Sequence, residues 1–249
     1  MKLERYEKII KGRIKARFAK TLRKSTDSGT SAMILNNDND DALKPLRTAR
    51  LSFQESVMQY SHLEKQNKGK LWATKQTAKW IENMARERKG IIINPGNIEK
   101  NLGHVISALS MVKASTPIIL ETDGYYSEDI ARQLNNIVDV HIMNFKYMSS
   151  DCAEFLGKTP DYADYAKKNI LAAEKHGDLV LRHQILPSHI ECDTKPILEW
   201  VKQNLSKYNF QLCAEFTPRI GMENEISRRI TISEYNDVMK HARNIGLEI

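Results

Sequence analysis

Seven polar residues stand where apolar runs of this chain come to an end. Thr122 and Asp123 follow IILE, and Asn144 and Lys146 follow VHIM around Phe145. Arg182 and His183 close LVL, and Arg219 lies beyond FQLCAEFTP. Brought together, these groups could bind a charged ligand, because a lysine ammonium and an arginine guanidinium are strong donors to carboxylate or phosphate oxygens. Other chemistries find no pattern to carry them. There is no G-x-S-x-G elbow, no G-x-x-x-x-G-K-[ST] loop, no dinucleotide fingerprint, and no H-x-x-E-H or C-x-x-C metal motif. The three cysteines, Cys152, Cys192 and Cys213, are dispersed. His62, His104, His176, His189 and His241 have no metal-ligand spacing with one another and read as surface or packing histidines. The residues describe a plausible pocket with no independent catalytic engine.

The elements that must position this pocket are strands alternating with helices. Runs at 118–126, 138–147, 179–189 and 210–219 read as buried strands, joined by IIIN at 91–94 and a further candidate near 47–54. Between them, amphipathic stretches predict helices over 74–88, 98–112, 161–176, 193–205 and 231–244. Asp161 stands at one start, Pro196 falls in a first turn where a missing amide proton costs little, and Thr231 or Ser233 can cap the last helix. This alternation predicts a parallel α/β sheet, which binds ligands at the carboxyl ends of its strands, where the polar residues lie. Because neighbouring strand residues point to opposite faces, Arg182 and His183 cannot both face the cup. Asn144 and Lys146 point together, His141 the other way, and His183 fits a buried place under a helix.

The runs DVHIMNFKY and LVLRHQILPSHIECDTKPILEWVKQNL, followed by a strand that ends in a proline-containing turn, carry a family resemblance. They resemble the radical S-adenosylmethionine proteins related to pyruvate formate-lyase activating enzyme, whose corresponding strands look like DxYLxDFKY and RHLVLPGH…T…ILEWI. The resemblance spans roughly half of the chain, with several motifs in the family's order. It implies an incomplete (β/α)6 barrel related to the TIM barrel, with parallel strands inside and helices outside. It also implies that Gly96, Asn97, Thr122, Asp123, Asn144, Lys146 and Arg182 line the cofactor pocket, Arg182 resembling the cofactor-contacting arginine.

The family's cluster motif is missing. Its members hold a 4Fe-4S cluster through CxxxCxxC, since three irons take cysteine sulfur and the fourth stays open for the cofactor. Nothing like that spacing occurs here. ARLSFQESVMQY aligns best with the cluster loop, which puts Leu51, Glu55 and Met58 where thiolates would stand. An aliphatic group, a carboxylate and a thioether cannot replace them. The family's Gly-Gly-Glu or Gly-Gly-Asp turn is Pro95-Gly96-Asn97, and the aspartate of its DFK motif is Asn144. Two carboxylates have become amides, which removes charge with little change of shape. No 4Fe-4S cluster is expected, and S-adenosylmethionine is expected to bind weakly at best.

With 249 residues, 41% of them hydrophobic, the chain can bury a full α/β core. No apolar run approaches the roughly 20 residues needed to span a bilayer. The N-terminus lacks the continuous apolar core of a secretory signal, and few cysteines suit a cytoplasmic setting. The net charge is +7, and residues 2–24 concentrate Lys and Arg around Leu3, Tyr6, Ile10, Ile14 and Phe18 at helical spacing. That predicts a basic helix and polar linker over 1–46, ahead of a barrel domain over 47–249. The basic face is read either as solvated or as a contact for an acidic protein or nucleic acid. Two functions follow from the resemblance and its failure. One is a degenerate, non-catalytic protein, a pseudoenzyme that binds a small anionic or nucleoside-like ligand or regulates a partner. The other is an active glycyl-radical-activating enzyme using S-adenosylmethionine, with its cluster ligated unconventionally.

Overall fold

A computed structural model of the chain describes residues 31–36, 48–53, 70–87, 89–135, 137–218 and 225–249. The basic segment 1–24, together with Glu55, Met58, His62 and Arg219, lies outside the described residues. The strands follow the order β3-β1-β2-β4-β5-β6-β7-β8 in one sheet. These are β1 Ser31–Asn36, β2 Thr48–Phe53, β3 Lys70–Trp72, β4 Gly90–Asn94, β5 Ile118–Thr122, β6 Val140–Asn144, β7 Asp178–Gln184 and β8 Asn209–Cys213. Six of them, β2 and β4 to β8, run parallel with flanking helices, the α/β partial barrel expected from the sequence. β1 is an addition to that expectation. The stretch read as a polar linker contains this strand, which pairs antiparallel with both β2 and β3.

The chain divides into two compact units, residues 1–56, 68–122 and 126–141 in one and 57–67, 123–125 and 142–249 in the other. In the first, β4 lies between β2 and β5 with parallel register on both sides. Ile91, Ile92 and Ile93 are fully buried, as are Ile119 and Leu120 in practice, so these runs read as continuous rather than alternating apolar sequence. Helix α1, Thr74–Arg86, buries Thr77, Ala78, Ile81 and Ala85 on one face. It packs on α2, Ile98–Met111, and the buried Thr77 hydroxyl meets His104 Nε2 at 2.9 Å. Helix α3, Glu128–Leu134, begins after Ser127, whose amide donates to Glu99 at 2.9 Å.

In the second unit, β7 and β8 pair in parallel, with Arg182 opposite Gln211 and Gln184 opposite Cys213. Phe145 N donates to Arg182 O at 2.8 Å, which sets β6 beside β7 so that Asn144 stands next to Arg182 and Phe145 next to His183. Helix α4, Ser150–Gly157, is capped by Ser149 and stops at Lys158 in the left-handed conformation. Helix α5, Tyr162–His176, ends at Gly177, as its sequence predicts. Asp161 does not cap that helix with its side chain; it accepts the Tyr125 hydroxyl at 2.9 Å instead. The helix expected from 193 is preceded by one π turn, Ile190–Thr194, and then runs as α6 over Lys195–Asn204 with Pro196 in its first turn. Thr231 and Glu234 form a capping box at the start of α7, Ile232–Asn244. No helix among the described residues is long and apolar enough to cross a membrane.

Candidate functional site

The strand ends of the second unit are pinned by one buried hydroxyl. Tyr162, in the first turn of α5, shares its proton between the carbonyls of Asp123 at 2.7 Å and Asn144 at 2.9 Å. It also accepts the amide of Lys146 at 2.9 Å. Full burial, followed by the charge of Asp123, holds this phenol well above its ordinary pKa, so it remains a neutral donor. Gly124 permits the turn between Asp123 and Tyr125. Its φ is +78°, and a Cβ there would meet Met143 Cε at 3.0 Å and Ala166 Cα at 3.4 Å. Asn169 from α5 closes the turn by donating to Gly124 O at 2.8 Å. Tyr125 beside it is pushed up to about 12 by burial and by its bond to Asp161.

These constraints bring charged side chains together. Lys146 Nζ lies 3.8 Å from Asp123 Oδ2, with side-chain exposures of 14% and 19%. Arg182 donates from Nε to Gln211 at 2.7 Å, which orients its guanidinium along β8. His183 is buried on the opposite face, its ring between Phe145 O at 2.7 Å and the Thr194 hydroxyl at 3.0 Å. Burial lowers its pKa, so it is a satisfied neutral group under the π turn, as its parity predicts. Of the seven residues implied by the resemblance, Asp123, Asn144, Lys146 and Arg182 thus belong to the second unit. Gly96, Asn97 and Thr122 belong to the first. There Gly96 has φ +59° and donates to Asn94 at 3.0 Å, while the Asn97 side chain caps α2 by accepting Lys100 N at 3.2 Å. Thr122 is buried at the end of β5. Leu51, placed at a cluster-ligand position by alignment, is a buried β2 residue. The first unit also contains an ion pair unmarked by any motif, Arg50 with Glu121, both side chains largely buried.

A second group of side chains went unrecognised in the sequence. Cys152, His189, Cys192 and Asp193 place one sulfur, nitrogen or oxygen each within 4.8 Å of all the others. The two sulfurs are 3.1 Å apart, and His189 Nδ1 is 3.3 Å from Cys152 Sγ and 3.5 Å from Cys192 Sγ. Burial raises both thiols above their ordinary pKa. The legible signal was the spacing H-x-x-C-D, which puts three donors on one helical face at i, i+3 and i+4. Cys152 carries no such local mark.

No family model matches the chain. It is 25% identical over 177 residues to an uncharacterized protein of Methanocaldococcus jannaschii, covering 70% of this chain and 52% of that one. The chain thus spans about half the length of the curated relative it matches. Among solved structures, Streptococcus suis SuiB bound to S-adenosylmethionine matches with a TM-score of 0.53 at 9% identity, over 82% of this chain and 49% of that one. A domain of pyruvate-formate lyase-activating enzyme from Bacteroides vulgatus matches with a TM-score of 0.42 at 12% identity, over 53% of this chain and 79% of that one. Six parallel strands with flanking helices and the likeness to SuiB agree with the motifs at 138–147 and 179–205: the chain has the partial-barrel fold of the radical S-adenosylmethionine proteins.

Proposed function

We propose that this chain is a radical S-adenosylmethionine-fold protein that has exchanged radical chemistry for ligand binding. The observation that carries the reading is the disposition of its cysteines. A 4Fe-4S cluster of this family needs three thiolates from one short loop, and the whole sequence has three cysteines. Two of them face each other beside His189 and Asp193, and Cys213 ends β8. That donor set does not fit the family's cluster. Without a low-potential cluster there is no source for the electron that cleaves a sulfonium.

The retained pocket then acts through Lys146 and Arg182. Their charges favour a small anionic or nucleoside-like ligand, and Asn144, in the same unit, no longer supplies a carboxylate for the ammonium and sulfonium of S-adenosylmethionine. Asp123 partly offsets Lys146, so an anion must displace or rotate that pair. The basic segment 1–24 would add an acidic protein or nucleic-acid contact, joined to the barrel domain of 47–249.

Calorimetric titration with S-adenosylmethionine, S-adenosylhomocysteine and simple phosphate esters tests the site. Anion binding should fall at least tenfold, about 1.4 kcal/mol, in the double variant Lys146→Ala with Arg182→Ala. Micromolar S-adenosylmethionine binding that survives those changes would place the site elsewhere. The competing reading, an active glycyl-radical-activating enzyme, draws support from the two cysteine sulfurs that meet at Cys152 and Cys192. Anaerobic reconstitution separates the two readings, because about four irons per chain with matching sulfide, retained through gel filtration, would establish the active one.

A further inference from the structure

We propose that Cys152, His189, Cys192 and Asp193 form a closed, four-coordinate zinc site that staples the start of α4 to the π turn before α6. The donor set is two sulfurs, one imidazole nitrogen and one carboxylate oxygen, all ligand types that zinc accepts in tetrahedral structural sites. The proposal does not rest on ligand binding at the strand ends, whose residues are different.

Three observations point to a cation rather than to a chance cluster. The first is Asp193. Its Oδ1 accepts the amides of Met148 at 2.6 Å and Ser149 at 2.9 Å, which fixes the carboxylate. Its Oδ2 is buried, has no hydrogen-bond partner among the described residues, and lies 3.7 Å from His189 Nδ1. A buried carboxylate oxygen left in that state is costly unless a positive charge meets it. The second is His189, whose Nδ1 faces the sulfurs while its buried Nε2, without a hydrogen bond among the described residues, lies 3.4 Å from Glu225 Oε1, within a small shift of one. A carboxylate behind the distal nitrogen holds a ligating histidine in the tautomer that leaves the other nitrogen's lone pair free. The third is the backbone. His189 immediately precedes a single π turn that contains Cys192 and Asp193, a distortion frequent at functional sites.

The sulfur separation supports the same reading. At 3.1 Å the two sulfurs are well beyond the roughly 2.05 Å of a disulfide. Two Zn–S bonds of about 2.3 Å at a tetrahedral angle put sulfurs about 3.8 Å apart, so binding needs them to separate by well under 1 Å.

The test uses the full chain, purified under reducing conditions and dialysed against a weak chelator. About one zinc per chain is expected, released by a thiol-modifying mercurial. Cobalt should replace it and give the intense visible bands of a tetrahedral site together with thiolate-to-metal charge transfer in the near ultraviolet. Asp193→Asn, which keeps an acceptor for both amides, should weaken zinc binding measurably in competition titrations. Glu225→Gln should weaken it about tenfold or more. Cys213→Ser should retain the metal. Failure of the wild-type chain to hold zinc or cobalt would overturn the site, as would full cobalt spectra in a Cys152→Ser, Cys192→Ser double variant. So would isolation of the metal-free chain with a Cys152–Cys192 disulfide, or an iron–sulfur chromophore at these residues.

Discussion

Removing one oxygen atom from Tyr162 should loosen the strand ends of the second unit. Tyr162→Phe leaves the ring in place, with its edge contact to Tyr147 at 5.5 Å and 82° and its tilted contact to Phe145 at 6.3 Å. No cavity of ring size forms, so the loss is confined to hydrogen bonds. The hydroxyl serves two carbonyls and one amide, and its removal takes a hydrogen bond from each of these three backbone groups. Each buried unsatisfied backbone group costs about 1–3 kcal/mol. Asp123 and Lys146 keep some exposure, so water can reach part of the vacated space and the lower half of that range applies. For two such groups at about 1–2 kcal/mol each, the expected loss is about 2–4 kcal/mol. With a urea m-value of about 2–3 kcal/mol/M, the midpoint should fall by about 1 M with an unchanged slope. Hydrogen exchange of the Lys146 amide should accelerate at the same time. Tyr165→Phe is the control, since that ring is 40% exposed, and it should change stability by less than about 0.5 kcal/mol. A loss below about 0.7 kcal/mol in Tyr162→Phe, or equal losses in the two variants, would refute the pinning role.

Three further outcomes are open to direct measurement. Gly124→Ala should cost about 2 kcal/mol in denaturant melts, because it combines a positive φ with a Cβ 3.0 Å from Met143 Cε. Thr77→Val should cost about 1–3 kcal/mol, since it strips the buried His104 ring of its hydroxyl partner while keeping side-chain volume. Arg228, together with the Thr231 and Ser188 amides, holds the Glu234 carboxyl down to about 2, below its ordinary 4.5. The contribution of this cap is therefore fully present above pH 4.5 and is lost as pH falls from there through about 2. A carbon-detected titration of Glu234 reads the value directly, and Glu234→Gln should flatten the melting temperature over that interval.

The sequence by itself determined the layered plan of this protein. Runs such as GIIIN and IILET are apolar on both faces of a strand, and only a parallel sheet covered by helices buries both, so their class follows from local residues alone. Helix ends were legible for the same reason. Thr231 with Glu234, and Gly177 after His176, act within a few residues of themselves. Parity along a strand also sufficed to separate Arg182 from the buried His183. Strand β1 was not legible, because SAMILN becomes a strand by pairing with β2 and β3, and no periodicity in six residues announces a distant partner. The site followed the same division. Asp123, Asn144, Lys146 and Arg182 were marked by their places at strand ends, whereas Tyr162 looked like an ordinary helix-start aromatic until the fold set its hydroxyl against three backbone groups. Cys152 acquires chemical meaning only beside His189, Cys192 and Asp193. Period and capping are properties of a chain segment, but the meeting of side chains from separate segments depends on how β6, α4 and the π turn pack, and that is settled only by burying the whole core.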